Sequence, residues 1–415
     1  MATLADTLRQ FGAAYLSTHV LATAQAKAWR GIAACRTPAL GGQQLACDSC
    51  GYSHWQYHSC RNRHCPQCGA RAKDAWLQGR LAEVLPVPYA HLVFTLPHSL
   101  NALYGYHPRW VIDTLFACTA QTLSQFAANP RWMGGVGSAD SAGSAGRSAG
   151  HAMPAFSLVL HTWTQDLQLH IHVHAVMACG ALDAKGHWQM PTRQPDFLFP
   201  VHALSQVFRG KFMAALQQAH QTGQIPRDPQ GGGPAWRKRH TALYQHSWVV
   251  YAKTPMGRPA QVLEYLSRYT HRTAISNERI HSVGAQQMSF KVRRGAQGGK
   301  RLVQLGGVEF VRRFMLHILP KGVKRLRHYG VLAAGCKAVK LAQARAALAM
   351  PAPNRLVTES AIDFMRRTKA MDVLQCPCCA LGRLRIIQTV PAPARLPAPG
   401  AQVQANGCRG PPCMT

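Results

Sequence analysis

Two Cys-x-x-Cys pairs, Cys47/Cys50 and Cys65/Cys68, sit close together in the segment CDSCGYSHWQYHSCRNRHCPQC and restrict what this part of the chain can fold into. Each pair can present two thiolates from a tight turn, and two such knuckles close a tetrahedral site of the zinc-ribbon kind. The interval between them is slightly shorter than the usual ~15–20 residues, which suits a compact ribbon. The surrounding stretch is poor in long apolar runs, as expected of a small module stapled by metal. Four thiolates leave no open coordination position, so zinc here is expected to be structural. Cys35, Cys60 and His64 lie nearby. With one more ligand, such as His58, they would make a second site; otherwise they are ordinary core and surface residues.

The charge balance names the partner. Forty-seven Lys and Arg stand against 16 Asp and Glu, a formal net charge of +31. Such a chain repels itself unless a polyanion neutralises it, which favours nucleic acid first and an anionic membrane second. The 47% hydrophobic content is enough to fill cores, and 415 residues suggest two or three domains at roughly 150 residues each. The acids are scattered singly with no D-x-D or E-x-x-E cluster, so metal chemistry is expected to lean on the 21 His and 14 Cys. The start, MATLADTLRQFGAAYL, does not read as a signal peptide, and no apolar run reaches the ~18 residues of a membrane span. Together with the paired cysteines this predicts a cytoplasmic chain.

Hydrophobic periodicity predicts one or two helices over 1–30, a helix over 74–85 and a strand over 91–97. A mostly helical stretch follows over 99–128. Strand patterns at 156–163 and 169–178 are separated by five residues that can close a hairpin. A further strand is expected at 246–252, a helix at 261–272, paired strands at 286–293 and 300–305, and a helix at 308–318. The Gly/Ser/Ala stretch 133–150 reads as a surface loop, and the Pro/Ala-rich tail after 389 as disordered. Short strands mixed with helices make an α+β chain.

Within LHIHVHAVMA, strand alternation puts His170, His172 and His174 on one face and Ile171, Val173 and Ala175 on the other. Two imidazoles spaced this way can chelate one divalent ion, although an isolated His-x-His is usually innocent. Tyr265 and Tyr269, at i and i+4 in a helical and basic stretch, project from one helix face; for most such pairs the role is packing.

Taken together, these stretches resemble the rolling-circle transposases of the HUH superfamily, of the insertion-sequence 91 type with an N-terminal zinc-binding domain. The resemblance covers nearly the whole chain and includes SCRNRHCPQC (59–68), PVPYAHLVFTLP (86–97), LHTWTQDLQLHIHVH (160–174), YLSRYTHRTAISN (265–277) and FVRRFMLHILPKGVKRLRHYG (310–330). Ile171 stands where the family tends to have proline. The resemblance implies a small zinc-ribbon domain ahead of an HUH endonuclease-like core with an antiparallel sheet and flanking helices. It implies cleavage of single-stranded DNA through a 5′-phosphotyrosine, with His172 and His174 holding Mg²⁺ or Mn²⁺ and Tyr265 and Tyr269 as nucleophiles. A third metal ligand is expected, with Gln165 favoured over Asp166 and His271.

Domain boundaries are expected at 1–85 for the N-terminal helices and zinc module, 86–335 for the catalytic core and 336–415 for a C-terminal extension. In that extension CPCC (376–379) with Cys408 and Cys413 is a weaker zinc-knuckle candidate. DNA, single-stranded or as hairpin element ends, is expected to engage Arg61, Arg63, Arg268, Arg272 and the cluster Arg312, Arg313, Lys321, Lys324, Arg325 and Arg327. In the cell this would place the protein at the bacterial nucleoid. The rivals are a non-catalytic zinc-ribbon DNA-binding protein and a replication-initiator or relaxase-type endonuclease.

Overall fold

The computed structural model describes residues 2–81, 83–133, 152–192, 198–225, 233–256, 273–294, 298–351 and 359–392. Helices α1 (Leu4–Leu16) and α2 (Thr23–Ala33) come first, then strands β1 (Gly42–Cys47) and β2 (Ser53–Tyr57) and helix α3 (Ala70–Leu81). Strand β3 (Tyr89–Thr95) precedes helices α4 (Asn101–Tyr106) and α5 (Pro108–Ala127). The long hairpin β4 (Met153–Trp163) and β5 (Leu169–Leu182) is followed by β6 (Trp188–Gln189), α6 (Val201–Gln221), α7 (Gly233–Gln245) and β7 (Val250–Met256). Strands β8 (Ile280–Val283), β9 (Gln287–Arg293) and β10 (Lys300–Gly306) lead into the helix Gly307–Met315 and strand β11 (Leu326–Gly330). Helices Lys337–Ala347 and Ala361–Lys369 and strand β12 (Leu384–Val390) complete the described chain.

Local chemistry sets several of these boundaries. At the start of α1, Thr3 Oγ1 accepts the Asp6 N–H at 3.2 Å while the Asp6 carboxylate accepts the Thr3 N–H at 2.9 Å. This reciprocal cap satisfies two otherwise orphaned helix donors. Pro108 starts α5, where a residue without an N–H costs nothing. Helix α3 begins directly after the second knuckle and ends at Leu81, several residues earlier than the proline-based boundary. The strand expected at 246–252 instead begins at Val250, because Trp248 is buried with its indole N–H donating to Leu243 O at 3.0 Å.

The fold is α+β with antiparallel sheets. The principal sheet runs β11-β4-β5-β3-β7, with β6 paired to the end of β5. On one side, Leu92 and Phe94 of β3, Phe156, Leu158 and Leu160 of β4, and Ile171, Val173, Ala175 and Met177 of β5 share a core with α5 and α6. The opposite face of the same strands carries His91, Ser157, His161, His172 and His174. A second core joins α1, α2, the sheet β10-β9-β8 and the helix Gly307–Met315, and takes in Trp163 and Leu167 from the end of the β4–β5 hairpin. A third sheet, β12-β1-β2, pairs the last described strand with the first. β11 and β12 were not anticipated from sequence: β11 lies inside the stretch read as a basic cluster, and β12 mixes apolar and polar residues without alternation. The expected helix at 261–272 and almost all of the 133–150 stretch lie outside the described residues. Among the described residues no helix is long and apolar enough to cross a membrane.

Phe208 packs edge-on against Phe94 at 5.2 Å and Trp248 at 5.4 Å in the principal core. Phe208→Ala is expected to cost about 3–5 kcal/mol, read as a lower denaturation midpoint. Val20→Ala, at a side chain 99% exposed, should stay within about 0.5 kcal/mol.

Candidate functional site

Antiparallel pairing of β4 with β5 puts His161 directly opposite His172, and His174 opposite Val159. The three imidazoles His161, His172 and His174 each offer a nitrogen, and these atoms lie within 4.8 Å of one another. His174 Nε2 is 3.1 Å from His161 Nδ1. Without a cation, one of these nitrogens must be protonated and donate to the other; with a cation, both lone pairs can converge on it. For bonds of ~2.1 Å at right angles, two ligands to one ion stand about 3 Å apart, so the spacing fits a shared divalent metal. The His172 Nδ1–H donates to the carbonyl of His170 at 2.9 Å, which leaves Nε2 with the lone pair a metal requires. On β3, His91 Nε2 lies 3.0 Å from His174 Nδ1 and fixes that ring from behind. Burial pushes His172 down to about 4, with His170 adding to the effect, and pushes His91 down to about 4, with Lys253 adding. Both are therefore neutral at pH 7, the state that ligates metal.

The amide expected as third ligand is elsewhere. Gln165 is exposed in the β4–β5 turn, where its Oε1 accepts the Arg293 N–H at 2.7 Å. Asp166 accepts the Thr164 hydroxyl at 2.5 Å in the same turn. The third side chain brought up to His172 and His174 is His161. His170 turns to His98, with 3.0 Å between Nδ1 and Nε2. Trp163 stacks on His161 at 4.7 Å, and the Arg325 guanidinium lies 5.3 Å from the Trp163 ring centre. Tyr265, Tyr269, Arg268, His271 and Arg272 lie outside the described residues.

The two knuckles do not share one site. Cys65 and Cys68 combine with Cys35, at the end of α2, and Cys60. Sγ–Sγ distances are 3.5 Å for Cys35–Cys68 and 3.7 Å for Cys60–Cys68. Zinc–sulfur bonds of ~2.3 Å in a tetrahedron place sulfurs about 3.8 Å apart, so the set fits zinc. Hydrogen bonding among the thiols draws Cys35 down to about 7 and Cys68 lower, while Cys60 and Cys65 are pushed up. Such sharing of protons among four crowded sulfurs is what a divalent cation replaces. Cys47 and Cys50 lie instead against Cys376 and Cys379. His64 is buried but outside both sets; its backbone N–H donates to Asn62 Oδ1 at 2.9 Å and its Nε2 accepts from Arg63 at 3.3 Å. Cys408 and Cys413 lie outside the described residues.

The basic residues divide by what they touch. Arg312 and Arg313 both clamp Glu309, at 2.6 and 2.7 Å, and these hydrogen bonds hold Glu309 down to about 2. Arg327 pairs with Asp113 and sits 4.1 Å over the Phe116 ring. Arg63 donates to Val323 O at 2.8 Å, linking the N-terminal module to the segment before β11. Arg61, Lys321 and Lys324 are exposed.

Comparison with known proteins fits this architecture. Residues 7–96 match the family model described as "Transposase zinc-binding domain", and residues 156–340 match the one described as "Putative transposase". These two matches define a transposase carrying a zinc-binding domain. A protein of Sinorhizobium fredii (strain NBRC 101917 / NGR234) described as "Putative transposase y4qJ" is 37% identical over 394 residues, covering 93% of this chain and 94% of its own. The transposase for insertion sequence element IS801 of Pseudomonas savastanoi pv. phaseolicola is 26% identical over 307 residues, 72% of this chain and 68% of its own. The chain belongs to the transposases of the insertion-sequence 91 type. Among solved structures, the conjugative relaxase TrwC in complex with oriT DNA is similar over 44% of this chain and 70% of its own, at 16% identity and a TM-score of 0.24, a slight likeness.

Several imidazoles are buried away from the cluster of His161, His172 and His174. His317 lies between Thr162 Oγ1 and Leu167 O, each at 3.1 Å, and burial pushes it down to about 4. His328 is likewise pushed to about 4, by burial and then by Arg80 and Lys337. An unfolded histidine titrates near 6.5, so between about 6.5 and 4 the unfolded chain binds more protons than the folded one. Stability should therefore be flat above about pH 7 and fall as pH drops through that window. In calorimetric melts His317→Gln should flatten this decline; an unchanged slope would remove His317 from the explanation.

Proposed function

We propose that this transposase cuts and rejoins single-stranded DNA at element ends through a tyrosine–phosphate linkage, with a divalent ion at the histidine cluster. The observation that carries the reading is the convergence of three buried imidazoles, His161, His172 and His174, on one point of the sheet face. A purely structural or DNA-binding role gives no reason to bury three imidazoles with converging nitrogens. Mg²⁺ or Mn²⁺ bound there supplies positive charge to the scissile phosphate. An all-imidazole set is borderline for Mg²⁺ and suits Mn²⁺ better.

The remaining chemistry belongs to the chain. The phenol of Tyr265 or Tyr269 loses its proton as its oxygen attacks phosphorus. The phosphorus–O3′ bond breaks, leaving a 5′-phosphotyrosine and a free 3′-OH. Attack by a 3′-OH on that linkage releases the tyrosine and rejoins the strand, so bond energy is conserved and no nucleotide cofactor is required. Two tyrosines allow two strand ends to be handled in sequence. Arg61, Lys321 and Lys324, with Arg268 and Arg272 beside the tyrosines, track the DNA backbone. His91 holds the ring of His174 and is a positioning residue.

Incubation with single-stranded DNA carrying the element ends and Mn²⁺ should give an SDS-resistant protein–DNA adduct. Tyr265→Phe with Tyr269→Phe should abolish it. His161→Ala should lower the yield by about 100-fold at limiting Mn²⁺, whereas Gln165→Ala should stay within about threefold of wild type. No adduct from the wild type, or an adduct indifferent to both tyrosines, would overturn the mechanism.

A further inference from the structure

Half of a second thiol cluster comes from the far end of the chain. Cys47 and Cys50 belong to the hairpin β1–β2, and Cys376 and Cys379 to the segment before β12, outside the 7–96 stretch that matches the zinc-binding domain. Cys47 Sγ lies 3.8 Å from Cys379 Sγ, and Cys50 Sγ lies 3.7 Å from Cys376 Sγ. These separations are too long for disulfides and match the ~3.8 Å edge of a zinc–thiolate tetrahedron. Backbone N–H groups approach three of the sulfurs: Ser49 to Cys47 at 3.3 Å, Cys378 to Cys376 at 3.4 Å and Gly382 to Cys379 at 3.3 Å. Donors placed this way stabilise thiolates.

The backbone is also fitted to the sulfurs. A Cβ on Gly382 would fall 2.3 Å from Cys47 Sγ and 2.6 Å from Ser49 Oγ, so the C-terminal turn approaches the cluster as closely as a glycine allows. We propose that Cys47, Cys50, Cys376 and Cys379 form a second zinc site, which clamps the C-terminal segment 359–392 onto the N-terminal module.

Little else can hold that segment. The apolar cluster at the junction consists of Leu45, Cys47, Cys376 and Leu384, flanked by Tyr52 and Cys379. β12 pairs with β1 from Gly42↔Val390 to Cys47↔Leu384, yet Ile386 and Ile387 are 55% and 59% exposed. A strand with so little buried apolar surface needs another source of stability, and a metal is the usual one in a core this small. At the other end of the segment, Arg367 reaches Asp74 on α3 as well as Glu359, and Arg71 donates to Glu359 O at 2.6 Å. Exposed ion pairs of this kind contribute little. The zinc therefore closes a loop of more than three hundred residues and makes the two ends of the chain one unit.

Zinc content measured in the full-length chain tests this. A His172→Ala/His174→Ala background keeps metal at the histidine cluster out of the count. Two zinc ions per chain are expected by native mass spectrometry. Adding Cys376→Ser/Cys379→Ser should leave one, and should raise hydrogen exchange in both β12 and β1 while leaving α1 and α2 unchanged. Gly382→Val should weaken zinc retention in the same way with all four thiols present. One zinc in the parent chain, or an unchanged count after Cys376→Ser/Cys379→Ser, would overturn the site. Loss of one zinc with unchanged exchange in β12 would overturn the clamp. The parent count decides the question even if the cysteine variant fails to fold.

Discussion

Register between β4 and β5 is the constraint on which the rest of the structure depends. It sets His161 against His172 and leaves the other faces of both strands to fill the core under α5 and α6. A slip of one residue would exchange these faces, burying imidazoles in the apolar core and exposing leucines. The five-residue turn that fixes the register is tied down from outside the hairpin. Leu167 takes a left-handed conformation at φ 64°, and Gln168 N–H is capped by Thr164 Oγ1 at 2.9 Å. The carbonyls of Gln165, Asp166 and Leu167 accept from Arg279, Arg313 and His317. Their chain neighbours Ile280, Phe314 and Ile318 belong to the second core with Leu167, α1, α2 and Cys65, so the hairpin turn is anchored in the core that holds the N-terminal helices.

The scarcity of acids takes on a structural meaning in the same way. Several of the chain's 16 carboxylates are committed to arginines: Glu309 to Arg312 and Arg313, Asp113 to Arg327, Asp74 and Glu359 to Arg367, Asp48 to Arg385. Among the described residues none stands in the histidine cluster. Much of the excess basic charge therefore remains for a polyanion, while the cluster of His161, His172 and His174 is built from buried imidazoles. The same commitment narrows the candidates for contact with DNA: Arg312, Arg313 and Arg327 pair with acids of the fold, and Arg61, Lys321 and Lys324 face solvent.

Much of this was legible in the sequence. Alternation in LHIHVH separates the histidine face from the core face, and the knuckle spacings mark thiolate pairs. What could not be read is pairing across distance. Trp163 opposes Leu169, and simple counting along the hairpin from that pair would set His161 opposite Ile171, facing the core. An irregularity in register between His161 and Trp163 moves it opposite His172, and no local signal in the sequence announces it. The cysteines pose the same problem at larger scale. Spacing shows that Cys47/Cys50 and Cys65/Cys68 are knuckles, but not that each completes its set elsewhere, with Cys376 and Cys379 in one case and Cys35 and Cys60 in the other.

A divalent ion at the histidine cluster is the claim on which the proposed chemistry rests. Crystals soaked in Mn²⁺ and measured at the manganese edge locate it directly. A single anomalous peak within bonding distance of nitrogens from His161, His172 and His174 is the expected result. A peak held by Gln165 or Asp166 without His161, or no manganese at the cluster, would contradict it.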